Sequence, residues 1–116
     1  MKVYGIRNCN TVKKAIEWLK DNGTASEFHD FKKQGIAKEK LLEWAKEVGW
    51  ERLMNKKGTT WRSLSAEQQQ NVKNEGTAVA LMLEKPSIIK RPVIETGGKL
   101  IVGFVEEEYK TNFKKQ

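Results

Sequence analysis

The run Lys2-Val3-Tyr4-Gly5-Ile6-Arg7-Asn8-Cys9-Asn10-Thr11-Val12-Lys13-Lys14-Ala15-Ile16-Glu17-Trp18-Leu19 changes period halfway along, and that change decides the fold. Residues 2–6 are a short apolar run rich in strand formers. Polar residues from Arg7 to Thr11 follow at once. Then Val12, Ala15, Ile16 and Leu19 recur at i, i+3, i+4 and i+7, which is one face of a helix. Asn10 or Thr11 is expected to cap its start, and Gly23 after Asn22 to end it. Ser26-Glu27-Phe28-His29-Asp30-Phe31 reads as a second strand. With the helix as crossover, the opening is a βαβ unit with a parallel strand pair.

Outward from that unit the pattern changes. Leu41, Trp44, Ala45 and Val48 keep helical spacing, and Gly49 stops them. Trp50, Leu53 and Met54 predict one further turn. The stretch from Asn55 to Arg62 reads as a basic loop. Ser65 with Gln68 forms a capping-box pattern. Asn74-Glu75-Gly76-Thr77 reads as a break, with Thr77 opening a new helix over Ala78 to Glu84 and Pro86 just beyond it. Val93-Ile94 and Leu100-Ile101-Val102 flank Thr96-Gly97-Gly98-Lys99, a hairpin signal. Val105, Tyr109 and Phe113 space as a last helix. The expected class is α/β: βαβ, an all-helical middle, then ββα around a mixed sheet. One domain is expected over 1–116, with residues 1–35 and 86–116 as its core and 36–85 as a helical insertion.

Composition narrows the function classes. The 116 residues carry 22 Lys+Arg against 15 Asp+Glu, a formal net charge of +7. That suits an anionic partner, whether nucleic acid or a small molecule. Charged residues of both signs make up 32% and there are four tryptophans, the composition of a globular domain. One cysteine cannot form an internal disulfide, and with a single His29 it cannot build a structural zinc site. No metal is expected. No apolar run is long enough to span a bilayer, and MKVYGIRN lacks signal-peptide character, so a cytoplasmic protein without membrane contact is expected.

Cys9 lies between a strand and a helix N-terminus, where first-turn N–H groups and the helix dipole favour a thiolate. Arg7, Lys13 and Lys14 nearby in the chain add positive charge. The alternative is a small buried hydrophobe, against which the polar Asn8-Cys9-Asn10-Thr11 context argues. Arg91-Pro92 precedes the third strand, beside the expected position of the Cys9 loop. Arg91 there either meets Cys9 or an anion bound at it, or is a surface arginine. An X-Pro bond at this junction is a plausible cis peptide. Lys56, Lys57 and Arg62, with Thr59, Thr60 and Trp61, either hold an anion or form a solvated loop. His29 reads as structural, and the tryptophans as core. No phosphate-binding glycine loop and no helix-turn-helix or RNP-type pattern is present, so direct nucleic-acid readout is not expected.

Four motifs occur in order: Tyr4 to Ala15, Phe28-His29-Asp30-Phe31-Lys32-Lys33, Gly58-Thr59-Thr60-Trp61-Arg62 and Ile89-Lys90-Arg91-Pro92-Val93. Together they resemble the YffB branch of the arsenate reductase (ArsC) family, which also contains the Spx regulators. The resemblance implies a thioredoxin-like fold with a helical insertion. It implies that Cys9 is the nucleophile, that Pro92 is the proline facing it, and that Arg91 is the anion-binding arginine. It also implies a glutathione-dependent thiol reductase. Arsenate reductases of the family place three arginines around the cysteine. Here two of those positions fall near Asn55 and Val102, which argues against arsenate reduction and leaves Lys56 and Arg62 as substitutes. The Cys-x-x-Cys switch of the Spx branch is absent, since Val12 stands three residues after Cys9.

The expected chemistry is therefore that of a single-cysteine oxidoreductase. Cys9 attacks an oxidised sulfur, on a small molecule or a protein thiol, or an oxyanion centre, and an external thiol resolves the adduct. No cofactor is expected to be bound; glutathione serves as cosubstrate. Its expected place is between the Cys9 loop, Arg91 and the Lys56–Arg62 loop, contacted by Asn8, Asn10, Thr11, Lys13, Lys56, Arg62 and Pro92. The competing expectation is a non-enzymatic module that docks on RNA polymerase, as the Spx relationship allows.

Overall fold

A computed structural model describes residues 1–113 of the chain. The polypeptide separates into two compact units. The first is built from Met1–Gln34 and the chain from Arg91 onward, the second from Gly35–Lys90.

In the first unit β1 (Lys2–Gly5) leads through a short turn into α1 (Asn10–Asp21) and then β2 (Glu27–Asp30). A one-turn helix, α2 (Phe31–Gln34), closes this half. It takes Phe31 out of the expected strand. The buried Asp30 side chain accepts the Lys32 N–H at 2.9 Å, and the Asp30 N–H donates to Gln34 Oε1 at 3.0 Å, so the chain turns as soon as the strand ends. After the second unit come β3 (Val93–Thr96), β4 (Lys99–Val102) and α8 (Glu106–Phe113).

The strands form one mixed sheet in the order β2-β1-β3-β4. β1 runs parallel to β2 and antiparallel to β3, and Gly97 and Gly98 join β3 to β4 with φ of 51° and 79°. Two successive positive φ values define the tight hairpin turn that the Gly-Gly pair predicts. This is the thioredoxin-like βαβ–ββα arrangement.

The register sorts the side chains. Val3 pairs with Ile94, and Ile94 with Ile101, so all three share one face. That face packs with Ala15 and Leu19 of α1 and Tyr109 and Phe113 of α8 into one core cluster. Val105 is exposed instead of joining it, because α8 starts at Glu106 and leaves Val105 outside the first turn. Three glutamates in that first turn complement the helix dipole. The opposite sheet face carries Tyr4, whose ring lies 4.8 Å from that of His29, tilted by 42°, and whose hydroxyl donates to Glu95 Oε1 at 2.8 Å.

The second unit is helical: α3 (Lys38–Val48), α4 (Trp50–Leu53), α5 (Thr59–Arg62), α6 (Ala66–Gln70), α7 (Glu75–Glu84) and a 3-10 turn over Pro86–Ile88. The predicted capping box is present, with Ser65 and Gln68 satisfying each other's backbone N–H groups. Two expectations are corrected. Thr59–Arg62 is a helical turn rather than loop. Asn74 does not mark a break: it caps α7, and Thr77 at the third helical position bonds back to it, so Glu75-Gly76-Thr77 is the first turn. Of the tryptophans only Trp44 is buried; Trp18, Trp50 and Trp61 are half-buried.

Candidate active site

Cys9, rather than Asn10 or Thr11, is the N-cap of α1. Its φ and ψ of −108° and 122° are extended, and its carbonyl already accepts the Lys13 N–H at 3.0 Å. This is the seat in which a helix places a serine or aspartate, so that a side-chain acceptor can meet the free N–H groups of the second and third helical residues. Those residues are Thr11 and Val12. A neutral thiol is a poor acceptor. A thiolate is a good one.

Partial burial pushes the Cys9 thiol up, but the groups around it more than offset this. The Val12 N–H, a hydrogen bond and the charge of the Arg91 guanidinium, and the Thr11 N–H all favour the anion, and the net shift is downward from the usual thiol value. The expected contributors Arg7, Lys13 and Lys14 are placed otherwise. Arg7 lies over the Phe28 ring at 5.6 Å, and Lys13 and Lys14 are exposed on α1.

Arg91 reaches the sulfur because of the sheet. Tyr4 near the end of β1 pairs with Val93 at the start of β3, so the residues just before β3 come alongside those just after β1. Pro92 is buried at this junction, the Arg91–Pro92 peptide is cis, and the Pro92 carbonyl accepts the Gly103 N–H at 2.7 Å. The strand entry is thereby tied to the end of β4.

Gly5 positions the other side of the seat. A Cβ there would lie 2.8 Å from Val12 Cγ2, closer than real Cβ contacts allow. The end of β1 thus packs directly on the first turn of α1, the turn that supplies the Val12 amide. Gly5→Ala is expected to destabilise the chain by about 1–3 kcal/mol through overpacking and to slow Cys9 alkylation. Adding Val12→Ala should recover part of both losses. Thermal melts and alkylation rates of the single and double variants check this; additive losses would show that the two sites are not coupled.

Of the other expected site residues, Asn8, Asn10, Thr11 and Lys13 flank Cys9 and are exposed. Lys56 and Arg62 belong to the second unit, where both are engaged locally. Lys56 Nζ lies 5.8 Å from the Trp50 ring and 5.3 Å from the Trp61 ring, and Arg62 Nε donates to the Gly58 carbonyl. Among the described residues no group of three or more His, Cys, Asp or Glu is arranged to hold a metal ion. No described helix is long and apolar enough to cross a membrane.

A model of the ArsC family matches residues 4–112, spanning the Cys9 seat, the Arg91-Pro92 junction and both strand pairs. The chain belongs to the ArsC family. A YffB protein of solved structure is 44% identical, with a TM-score of 0.89 over 95% of this chain and 96% of its own. An arsenate reductase (ArsC) related protein from Brucella melitensis is 48% identical, with a TM-score of 0.78 over 97% of this chain and 93% of its own. An uncharacterized protein of Haemophilus influenzae is 43% identical over 96% of both chains.

Proposed function

We propose that this chain is a single-cysteine thiol reductase that uses glutathione as its reductant. The observation that carries the reading is the Cys9 seat: a sulfur in the N-cap position, with the Val12 and Thr11 amides and the Arg91 guanidinium favouring its anion. On a mixed disulfide between glutathione and a second thiol, the Cys9 thiolate attacks the glutathione sulfur. The Cys9–glutathione disulfide forms, and the second thiol leaves as a thiolate that solvent protonates. With no second cysteine in the chain, a second glutathione must attack this adduct. That step releases oxidised glutathione and restores the Cys9 thiolate. Arg91 is the group that offsets negative charge on sulfur as it enters and leaves.

Incubation with oxidised glutathione tests the first step. Intact-mass spectrometry is expected to show one glutathionyl group, removed by added glutathione and absent in Cys9→Ser. An unmodified wild-type chain, together with retention on immobilised RNA polymerase, would replace this reading with that of a polymerase-binding module.

A further inference from the structure

A groove of about 650 Å³ runs where α1 lies along β2, the edge strand of the sheet. Its floor is apolar, made by Val12, Ile16 and the Phe28 ring. Ile16 and Phe28 are only half-buried, so apolar surface faces solvent inside a concave wall instead of lying scattered over the outside. A second hollow of about 430 Å³ shares Ile16 and Lys20 and extends to the Gly23–Ser26 loop. The volume falls in the range of small-molecule sites, and an apolar floor with a few charged groups is their usual make-up.

The charges are sorted along the groove. Arg7 and Lys13 stand at the N-terminal end of α1, next to Cys9 in the chain, with Arg7 over Phe28. Glu17 and Asp21 line it further along the helix, with Lys20 between them. The first turn of α1 contains no acidic residue, so nothing there offsets the positive end of the helix dipole. An anion is attracted to one end of the groove and repelled from the other, and a cation the reverse.

We propose that this groove binds the apolar, carboxylate-bearing part of a small molecule, with the carboxylate at Arg7 and Lys13 and the apolar body on Ile16 and Phe28. The binding site does not depend on the thiol-reductase reading.

Phenylbutyrate is a suitable probe, with phenylbutylamine and phenylbutanol as its cationic and neutral counterparts. Each is titrated into the Cys9→Ser chain, where no sulfur chemistry occurs, and the Val12 and Ile16 methyl resonances are followed by NMR. Phenylbutyrate is expected to shift both saturably and to bind about tenfold more tightly than the amine. In Arg7→Gln/Lys13→Gln, two exposed changes, its affinity should fall about three- to tenfold towards that of the alcohol. The inference is overturned if those methyls do not shift saturably, if the amine binds as tightly as the acid, or if the double variant binds phenylbutyrate unchanged. A glutathione adduct on the wild type with no groove binding removes this inference alone. Groove binding with no adduct upholds the site and removes the thiol-reductase reading alone.

Discussion

In Arg91→Ala, the pH midpoint of Cys9 alkylation by iodoacetamide is expected to rise, and disulfide exchange at neutral pH to slow about tenfold. Arg91 acts on the sulfur twice, through a hydrogen bond and through its charge. A hydrogen bond to an ionised partner contributes about 1.5–3 kcal/mol, and solvent screening of this half-buried site places the effect at the lower end. The Val12 and Thr11 amides remain, so some lowering of the midpoint should survive the substitution. Arg91→Lys should recover part of the loss, because it restores charge without the planar fork. Stopped-flow alkylation across pH separates the cases. An unchanged midpoint in Arg91→Ala would remove Arg91 from the thiolate site. A wild-type midpoint at or above about 8.5, the ordinary thiol value, would remove the activated thiolate altogether.

The largest expected effect on stability is at Tyr109. Its ring is fully buried and meets Phe104 at 4.8 Å, Phe113 at 5.4 Å and Trp18 at 5.5 Å, all edge-on, while its hydroxyl donates to the Gly103 carbonyl at 2.9 Å. Truncation to alanine opens a cavity among three aromatic rings and leaves that carbonyl without its donor. Tyr109→Ala is expected to cost about 3–5 kcal/mol, a large share of the stability of any small domain. Urea denaturation checks this; a loss below about 1 kcal/mol would show that α8 contributes little to the core.

The same residue predicts an alkaline response. Burial, and after it the Glu108 charge, push the Tyr109 hydroxyl well above its usual range. Below about pH 10 folded and unfolded chains both keep this proton, so it has no effect on stability. Above that the unfolded chain loses it first, and stability falls by up to about 1.4 kcal/mol per pH unit. Tyr109→Phe should lose about 1 kcal/mol with the hydrogen bond and show a shallower alkaline fall.

The parts of the fold legible in the sequence are those where one signal has one reading. The Val12-Ala15-Ile16-Leu19 stripe and the Gly97-Gly98 turn leave little choice, and both elements lie where expected. The misplacements share a physical cause. Asn8, Asn10 and Thr11 are all good caps, so composition points away from Cys9, and only the bond from Lys13 N–H to the Cys9 carbonyl fixes the helix start. At Asn74 the low helix propensity of Gly76 suggests a break, but the reciprocal Asn74–Thr77 bonds outweigh it. Thr59–Arg62 is a single turn, too short to show a period. The approach of Arg91 to Cys9 depends on the β1–β3 register, which joins residues some 90 positions apart and leaves no local trace. The groove beside α1 is equally silent, because Phe28 and Ile16 read simply as core residues of their own elements.

The sheet order has a consequence for synthesis on the ribosome. β1 lies between β2 and β3, yet β3 follows β2 only after roughly 60 residues of intervening chain. At about 5–20 residues per second, several seconds separate the emergence of the two neighbours. Throughout that interval the nascent β1–α1–β2 segment presents Val3 without Ile94, and β1 is a second open backbone edge, beside that of β2, able to pair with another chain. Completion of the surroundings of Cys9 waits just as long, since Arg91 leaves the exit tunnel at the end of the same delay.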